Sequence, residues 1–261
     1  MYKWNAHDYN RNSSEQQKWA QELICKLNII GNENILDIGC GDGKITSQLA
    51  LKVLDGSVLG IDNSEEMINL ANKLFNKSKY KNLSFQLMGA EQLNFTEEFD
   101  LIFSNAALHW IQDHGSVLKG ISSALKKDGR ILLQMGGEGN ASSLVKILDE
   151  IIKREKWKEY FTDFSFPYGF YNDKDYEKWI NHSGLKINRI ELIPKDMVHK
   201  GQEGLEAWIR TTWLPYTERV SLNFRNEFIK EIASKYLEEH PLDCKGLVHI
   251  KMIRLEVEAY K

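Results

Sequence analysis

A chain of 261 residues with 34 Lys and Arg against 37 Asp and Glu has a net charge of −3, and so no global positive field to gather nucleic acid or an anionic membrane. Its 42% hydrophobic and 27% charged residues are those of a globular protein, long enough for one large domain or for a domain with a substantial insertion. Three cysteines (Cys25, Cys40, Cys244) form no disulfide framework, the polar start MYKWNAHDYNRNSSEQQ lacks a signal-peptide core, and no window approaches the ~20 apolar residues of a membrane span, so a cytoplasmic protein is expected.

In chain order, Ser13 or Ser14 can cap a first helix with Gln16 or Gln17 closing a capping box, and Ala20, Leu23, Ile24 and Leu27 then recur at helical spacing. Five apolar runs bounded by turn residues follow: NILDIG (34–39), SVLGID (57–62), LSFQLM (83–88), FDLIFSN (99–105) and GRILLQM (129–135). Helices are expected between them at 46–52, 65–75 and 114–125. Strands alternating with helices predict an α/β, doubly wound, mostly parallel sheet with helices on both faces. Past residue 134 the character changes, since all four prolines and four of the seven tryptophans lie after residue 150. A helix is expected at 142–161, and helical stripes run through Leu205, Trp208, Ile209, Thr212, Trp213 and through Phe224, Phe228, Ile232, Tyr236. Strand-like runs at 185–193 and 247–260 flank that block. The expected organisation is therefore residues 1–140 as an amino-terminal helix and ligand-binding core, and residues 141–261 as a helical cap with the final strands, all in the same structural domain.

The stretch LDIGCGDGK (36–44) sets Gly39, Gly41 and Gly43 at alternate positions directly after the first strand. In an open parallel sheet ligands bind beyond the carboxyl ends of the strands, and glycines there let the backbone turn tightly and let a ligand approach it. A dinucleotide loop of the form G-x-G-x-x-G would place the third glycine one position later. Asp62 ends the second strand, where a carboxylate can accept hydrogen bonds from both hydroxyls of a ribose, and Asp37 suits either a ligand ammonium or the loop itself.

These residues resemble the class I S-adenosylmethionine-dependent methyltransferases, whose first motif looks like LDIGCGDGK and whose second strand ends in an acidic residue as in GIDNS. The resemblance covers roughly residues 30–140 and implies a Rossmann-like, seven-stranded sheet with S-adenosylmethionine as cofactor. It sets Gly39, Cys40 and Gly41, in the turn that Gly43 completes, under the methionine portion, Asp62 at the ribose and Asn63 beside the adenine. Met88, Gly89 and Ala90 stand where the family often has G-D-A, which leaves the adenine amino group to Glu91 or to the backbone NH of Ala90. Asn105 and Ala106 fall beside the sulfonium.

A broader resemblance runs through WNAHDY, SSEQQKWA, SNAALHWIQD, QMGGEGN, LEAWIRTTWLPY and DCKGLVHIKMIRLEVEA. These segments are similar to trans-aconitate methyltransferases and to insect juvenile-hormone-acid methyltransferases, which implies methyl transfer to a carboxylate of a small organic acid. Gln16 and Trp110 match residues that touch the substrate carboxylate in that group. Leu214 stands where the bacterial trans-aconitate pattern has arginine, which removes one anchor for a tricarboxylate.

The residues also bear plainer readings. Trp110 is either core or substrate wall, and His109 either bonds a carboxylate or is structural. Trp4 and Tyr9 form a lid over the cofactor or a frayed terminus, and Gln16 is a substrate contact or only a cap. Arg210, Arg219 and Arg254 either meet an anion or are solvated. No N/D-P-P-Y/F motif and no Pro-Cys pair suggest a nucleic-acid methyltransferase, and His109 and His114 lack a metal-ligand spacing, so no metal is expected. The alternatives are a methyltransferase acting on another O, N or C centre, a non-catalytic S-adenosylmethionine-binding protein, and a nicotinamide oxidoreductase. The expected partner is a small carboxylic acid, with no nucleic acid or membrane, in a monomer or weak dimer.

Overall fold

Adjacent residues of the predicted strands enter opposite apolar layers, which is the signature of a sheet covered on both faces. The computed structural model describes residues 14–261, with side chains described from Trp19 onward. Strands β1 (Asn34–Ile38), β2 (Ser57–Asp62), β3 (Leu83–Leu87), β4 (Phe99–Asn105) and β5 (Leu125–Gly136) run parallel, and β6 (Lys186–Lys200) and β7 (Leu247–Tyr260) complete a seven-stranded sheet. The strand order is β3-β2-β1-β4-β5-β7-β6, with β7 antiparallel to β5. This is the doubly wound, Rossmann-like sheet that the sequence leads one to expect. The chain reverses direction away from β1 between β1 and β4, and ligand sites in such sheets form at that switch.

One layer holds Ile35, Val58, Leu101, Phe103 and Leu132 against Leu23, Ile24 and Leu27 at the end of α1 (Ser14–Lys26) and Leu49 of α2 (Lys44–Ala50). The other holds Leu36, Ile61, Ile102 and Leu133 against Val117, Leu118 and Ile121 of α4 (His114–Ala124), which follows α3 (Glu65–Leu74). Burying each such side chain contributes about 1.5–3 kcal/mol.

The chain divides into two compact units. One comprises Gln16–Glu138, Tyr168–Ile193 and Arg254–Lys261; the other is built on Gly139–Pro167 and Pro194–Ile253. In the second unit lie α5 (Ser142–Ile151), α7 (Gly201–Thr212), α8 (Leu214–Thr217) and α9 (Leu222–Glu239), and in the first lies α6 (Asp173–His182). Among the described residues no helix is long and apolar enough to cross a membrane.

Three expectations are corrected. The helix foreseen over 142–161 ends at Ile151, because Arg154 N and Trp157 N turn back to Ile151 O and Arg154 O at 3.0 and 2.9 Å, and the buried Trp157 indole donates to Glu231 Oε2 at 2.8 Å. Helix α6 was not foreseen: its polar sequence buries only Tyr176 and Ile180, four residues apart, while the Asn172 side chain caps it by accepting from Asp175 N at 2.9 Å. Phe224 leaves its stripe and is exposed, in the first turn of α9.

Candidate functional site

The turn after β1 is built by hydrogen bonds that only a tight loop allows. Gly39 N and Cys40 N both donate to Ile61 O, at 2.8 and 2.9 Å, and Gly43 N donates to Cys40 O at 3.0 Å. Gly39 has φ +75°, and a Cβ there would come 2.1 Å from the Ala107 Cβ, so glycine is required for the loop to pack under the end of β4. Gly41, at φ +53°, faces open space instead. That combination leaves one length of backbone accessible to a ligand while its neighbour is locked.

Asp62 ties this loop down. Its Oδ2 accepts from Gly41 N at 3.0 Å and its Oδ1 accepts from Ser64 N at 2.9 Å, and burial pushes its carboxyl up from the usual carboxylate range. Asn63 N–H is a further backbone donor to this carboxylate, which still keeps an acceptor position for a ligand hydroxyl. Asp37 is 2% exposed, and its Oδ2 accepts from Thr46 Oγ1 at 2.7 Å. Burial first, and the like charge of Asp62 second, against the Thr46 bond, raise it to about 7. Cys40 is buried in the loop with its thiol pushed well up by burial, which makes it a packing residue against Gly60 rather than a nucleophile. Asn63 is exposed, and Ala90 is buried at the start of a 3-10 turn (Ala90–Gln92) whose other residues, Glu91 and Gln92, are exposed.

At the end of β4 the backbone is strained. Ala106 takes φ +55°, a left-handed conformation disfavoured for a residue with a Cβ, and its N donates to Gln134 O at 2.8 Å. Asn105 just before it has a buried Oδ1 without a hydrogen-bond partner among the described residues, an orphan that a ligand donor would satisfy. The next residues form a 3-10 turn, Leu108–Trp110.

His109 in that turn is buried. Its Nδ1 accepts from Gly136 N at 3.4 Å, which leaves the proton on Nε2. Burial, with the positive charge of Arg254, holds its pKa well below the usual histidine value, so the ring is neutral. Its ring lies 5.8 Å from Trp110, 6.2 Å from Tyr168 and 6.0 Å from Phe170, and Tyr168 stacks on Phe170 at 5.3 Å. Trp110 meets Tyr168 edge-on at 5.0 Å and is half-buried. The segment Tyr168–Tyr171 is bound in place by Gly169 N donating to His109 O at 2.9 Å. These aromatic partners were missed in the sequence; the signal was the glycine between aromatics in PYGFY (167–171), since a Cβ on Gly169 would lie 2.4 Å from Ile111 O.

His114 secures the same turn from beneath. Its Nε2 lies 2.8 and 3.0 Å from Leu108 O and Ile111 O, and its Nδ1 lies 2.6 Å from the Tyr176 hydroxyl. Burial lowers it to about 4, so a neutral ring donates through Nε2 and accepts at Nδ1.

The structure thus gathers Gly39, Cys40, Gly41 and Gly43 into one loop, with Asp37 of β1 and Asp62 at the end of β2 against it, and sets Asn105 at the end of β4 with Ala106, His109 and Trp110 in the turn that follows. Tyr9 lies outside the described residues. Gln16 sits on α1 one turn before Trp19, and its side chain likewise lies outside them. Arg210 and Arg219 are exposed, as the solvated reading expects, and Arg219 donates to the carbonyls of Tyr160 and Thr162. Arg254 is a correction: it is 3% exposed, with its guanidinium 4.9 Å over the Trp19 ring, because the first residue of β7 in the sheet unit lies under α1.

A family model described as a methyltransferase domain matches residues 30–182. An uncharacterized methyltransferase of Schizosaccharomyces pombe is 32% identical over 74% of this chain and 74% of its own length. A trans-aconitate 2-methyltransferase of Methylobacterium nodulans is 23% identical over 98% of this chain and 97% of its own. Among solved structures, Haemonchus contortus phosphoethanolamine N-methyltransferase 2 in complex with S-adenosyl-L-methionine superposes with a TM-score of 0.61 at 19% identity, covering 98% of this chain and 56% of that one.

Proposed function

From a chain that belongs to the methyltransferase domain family and is an S-adenosylmethionine-dependent methyltransferase, we propose a carboxyl O-methyltransferase acting on a small organic acid. The observation that carries the choice of acceptor is the match to trans-aconitate 2-methyltransferases along essentially the whole of both chains, beyond the family domain itself.

The residues fit the cofactor. Asp62 would take the ribose on its free acceptor position, with Asn63, Ala90 and Glu91 at the adenine. The open face of Gly41 would receive the methionine portion, in the turn formed with Gly39, Cys40 and Gly43. Asp37, held by Thr46, supplies the negative charge beneath that turn for an ammonium, and the orphaned Asn105 Oδ1 with Ala106 stands at the end of β4 for the sulfonium side. When bound, S-adenosylmethionine supplies an electrophilic methyl group.

The chemistry asks little more than alignment. A carboxylate, with a pKa near 4, is already ionised at neutral pH, so no general base is needed. Neutral His109, with Nδ1 engaged by Gly136, does not serve as one and is assigned a supporting role behind Trp110. Trp110, Tyr168 and Phe170 form an apolar wall that strips water from the acceptor and restricts its approach, and holding two reactants at attack distance is worth about 7–11 kcal/mol. Gln16 is assigned to the acceptor carboxylate. Calorimetric titration with S-adenosylhomocysteine, followed by mass analysis of products from a panel of small acids that includes trans-aconitate, tests the proposal. A base-labile methyl ester supports it; a base-stable methylated product from amines or phenols alone replaces it with another acceptor class, and cofactor binding without turnover of any acceptor leaves a binding protein.

A further inference from the structure

The carboxyl ends of the parallel strands all open on one edge of the sheet, and because β7 runs antiparallel its beginning, not its end, arrives at that edge. Register makes the placement explicit: Asn105 of β4 pairs with Gln134 of β5, and two residues further Gly136 of β5 pairs with Arg254 of β7. Gly136 is the residue whose N–H holds His109 Nδ1, and His109 in turn packs on Trp110. Arg254 is therefore one strand away from the turn assigned to the acceptor, within the same unit.

Three features mark its placement. It is 3% exposed, and its positive charge is felt by the buried His109 ring of the turn assigned to the acceptor. Its guanidinium is oriented by the Trp19 ring at 4.9 Å, so the planar fork is pre-organised rather than free to rotate. Trp19 also lies one turn after Gln16 on α1, so the helix that carries one residue assigned to the acceptor carboxylate also carries the platform for Arg254. Two residues along β7, Glu256 is held by Lys26 at 2.6 Å, Arg189 at 2.8 Å and Gln134 at 2.8 Å, an ion network that occupies the same face further from the ligand edge.

We propose that Arg254 is the cationic anchor of the acceptor, its guanidinium receiving a carboxylate of the substrate acid while Trp110 covers the apolar remainder. This rests on the carboxylate-acceptor reading above. Arg254 fits a flat bidentate anion, which lysine would not reproduce, and it offers in the core sheet unit an anchor of the kind that Leu214 lacks. Specificity then lies in charge and shape at one end of the acid, with no group acting as base.

The test measures kcat and KM for trans-aconitate, together with calorimetric binding of trans-aconitate in the presence of saturating S-adenosylhomocysteine, for the wild type, R254K and R254Q. R254Q is expected to raise KM and weaken acid binding at least 30-fold, with R254K intermediate and S-adenosylhomocysteine affinity within twofold of wild type in both. Equal losses of acid and S-adenosylhomocysteine binding in R254Q and R254K, with a fallen melting temperature, would make Arg254 a structural residue and overturn the proposal. So would wild-type KM in R254Q. A wild type that binds the acid through Arg254 without forming an ester would keep the anchor and refute the methyl-transfer reading, while a wild type that neither binds nor methylates the acid would refute both.

Discussion

Asp37→Asn should stabilise the cofactor-free protein at pH 8 and flatten its stability against pH. The Asp37 carboxyl is raised from its ordinary value of 3.8 to about 7 by burial, with Asp62 adding to the rise and the Thr46 bond opposing it. The native state therefore binds a proton that the unfolded chain has released between pH 3.8 and about 7. Stability is fully present below the lower value, falls as pH rises through that window, and is level above it. At about 1.4 kcal/mol for each tenfold change in proton affinity, the gap corresponds to about 4 kcal/mol. Asparagine is isosteric, keeps an oxygen for the Thr46 hydroxyl and never ionises, so it escapes that cost. Denaturant unfolding of wild type and variant at pH 5, 6, 7 and 8 should show curves that meet near pH 5 to within about 2 kcal/mol and diverge by several kcal/mol at pH 8. The same carboxylate attracts an ammonium once ionised, so wild-type affinity for S-adenosylhomocysteine should rise with pH up to about 7, and the variant should bind weakly at every pH. Parallel stability curves for the two proteins would refute the assignment of the burial cost to Asp37.

Asp62→Ala removes the acceptor for Gly41 N and Ser64 N as well as the proposed ribose contact, and should weaken S-adenosylhomocysteine by roughly 2–4 kcal/mol in calorimetry; unchanged affinity would remove the ribose role. Trp110→Ala should leave that affinity intact and depress turnover of the acid, and a loss of cofactor binding instead would place Trp110 in the other subsite. Gly39→Ala forces a methyl carbon to within 2.1 Å of Ala107 at a φ of +75° and should abolish cofactor binding with a marked drop in melting temperature, whereas Gly41→Ala meets no described neighbour but carries backbone strain at φ +53°, and should reduce affinity with a smaller drop in melting temperature.

The glycine loop and Asp62 were legible because their chemistry is local: spacing along a few residues decides which backbone can turn and where a carboxylate ends a strand. Strand positions were legible from apolar runs, and the split of Ile35 from Leu36 into opposite layers follows from the same alternation. Strand order was not, because it depends on which crossover each helix makes. The aromatic wall was hidden for a related reason, since Tyr168 and Phe170 acquire their role only by meeting His109 about 60 residues away. Arg254 could not be told from a solvated arginine, because a sequence that alternates charged and apolar residues does not say which face a helix will cover. Helix α6 was obscured by its own composition, with two core residues among eight polar or half-buried ones.

The alternation along β7 makes the end of the chain intolerant of length changes. Arg254, Glu256 and Glu258 share one side of the strand, while Leu255, Val257 and Ala259 enter the apolar layer on the other. Deleting one residue between Gly246 and Ile253 while the start of the strand stays fixed would shift residues 254–260 by one position against β5 and trade these two sets, driving three charges into hydrocarbon and turning three apolar side chains toward the ion network. The cheaper outcome is for the strand to slip and detach. Length polymorphism should therefore be absent from this segment in functional variants, and a library of single-residue deletions scanned across it should lose folded protein at every position, unlike a library of conservative substitutions at the same sites.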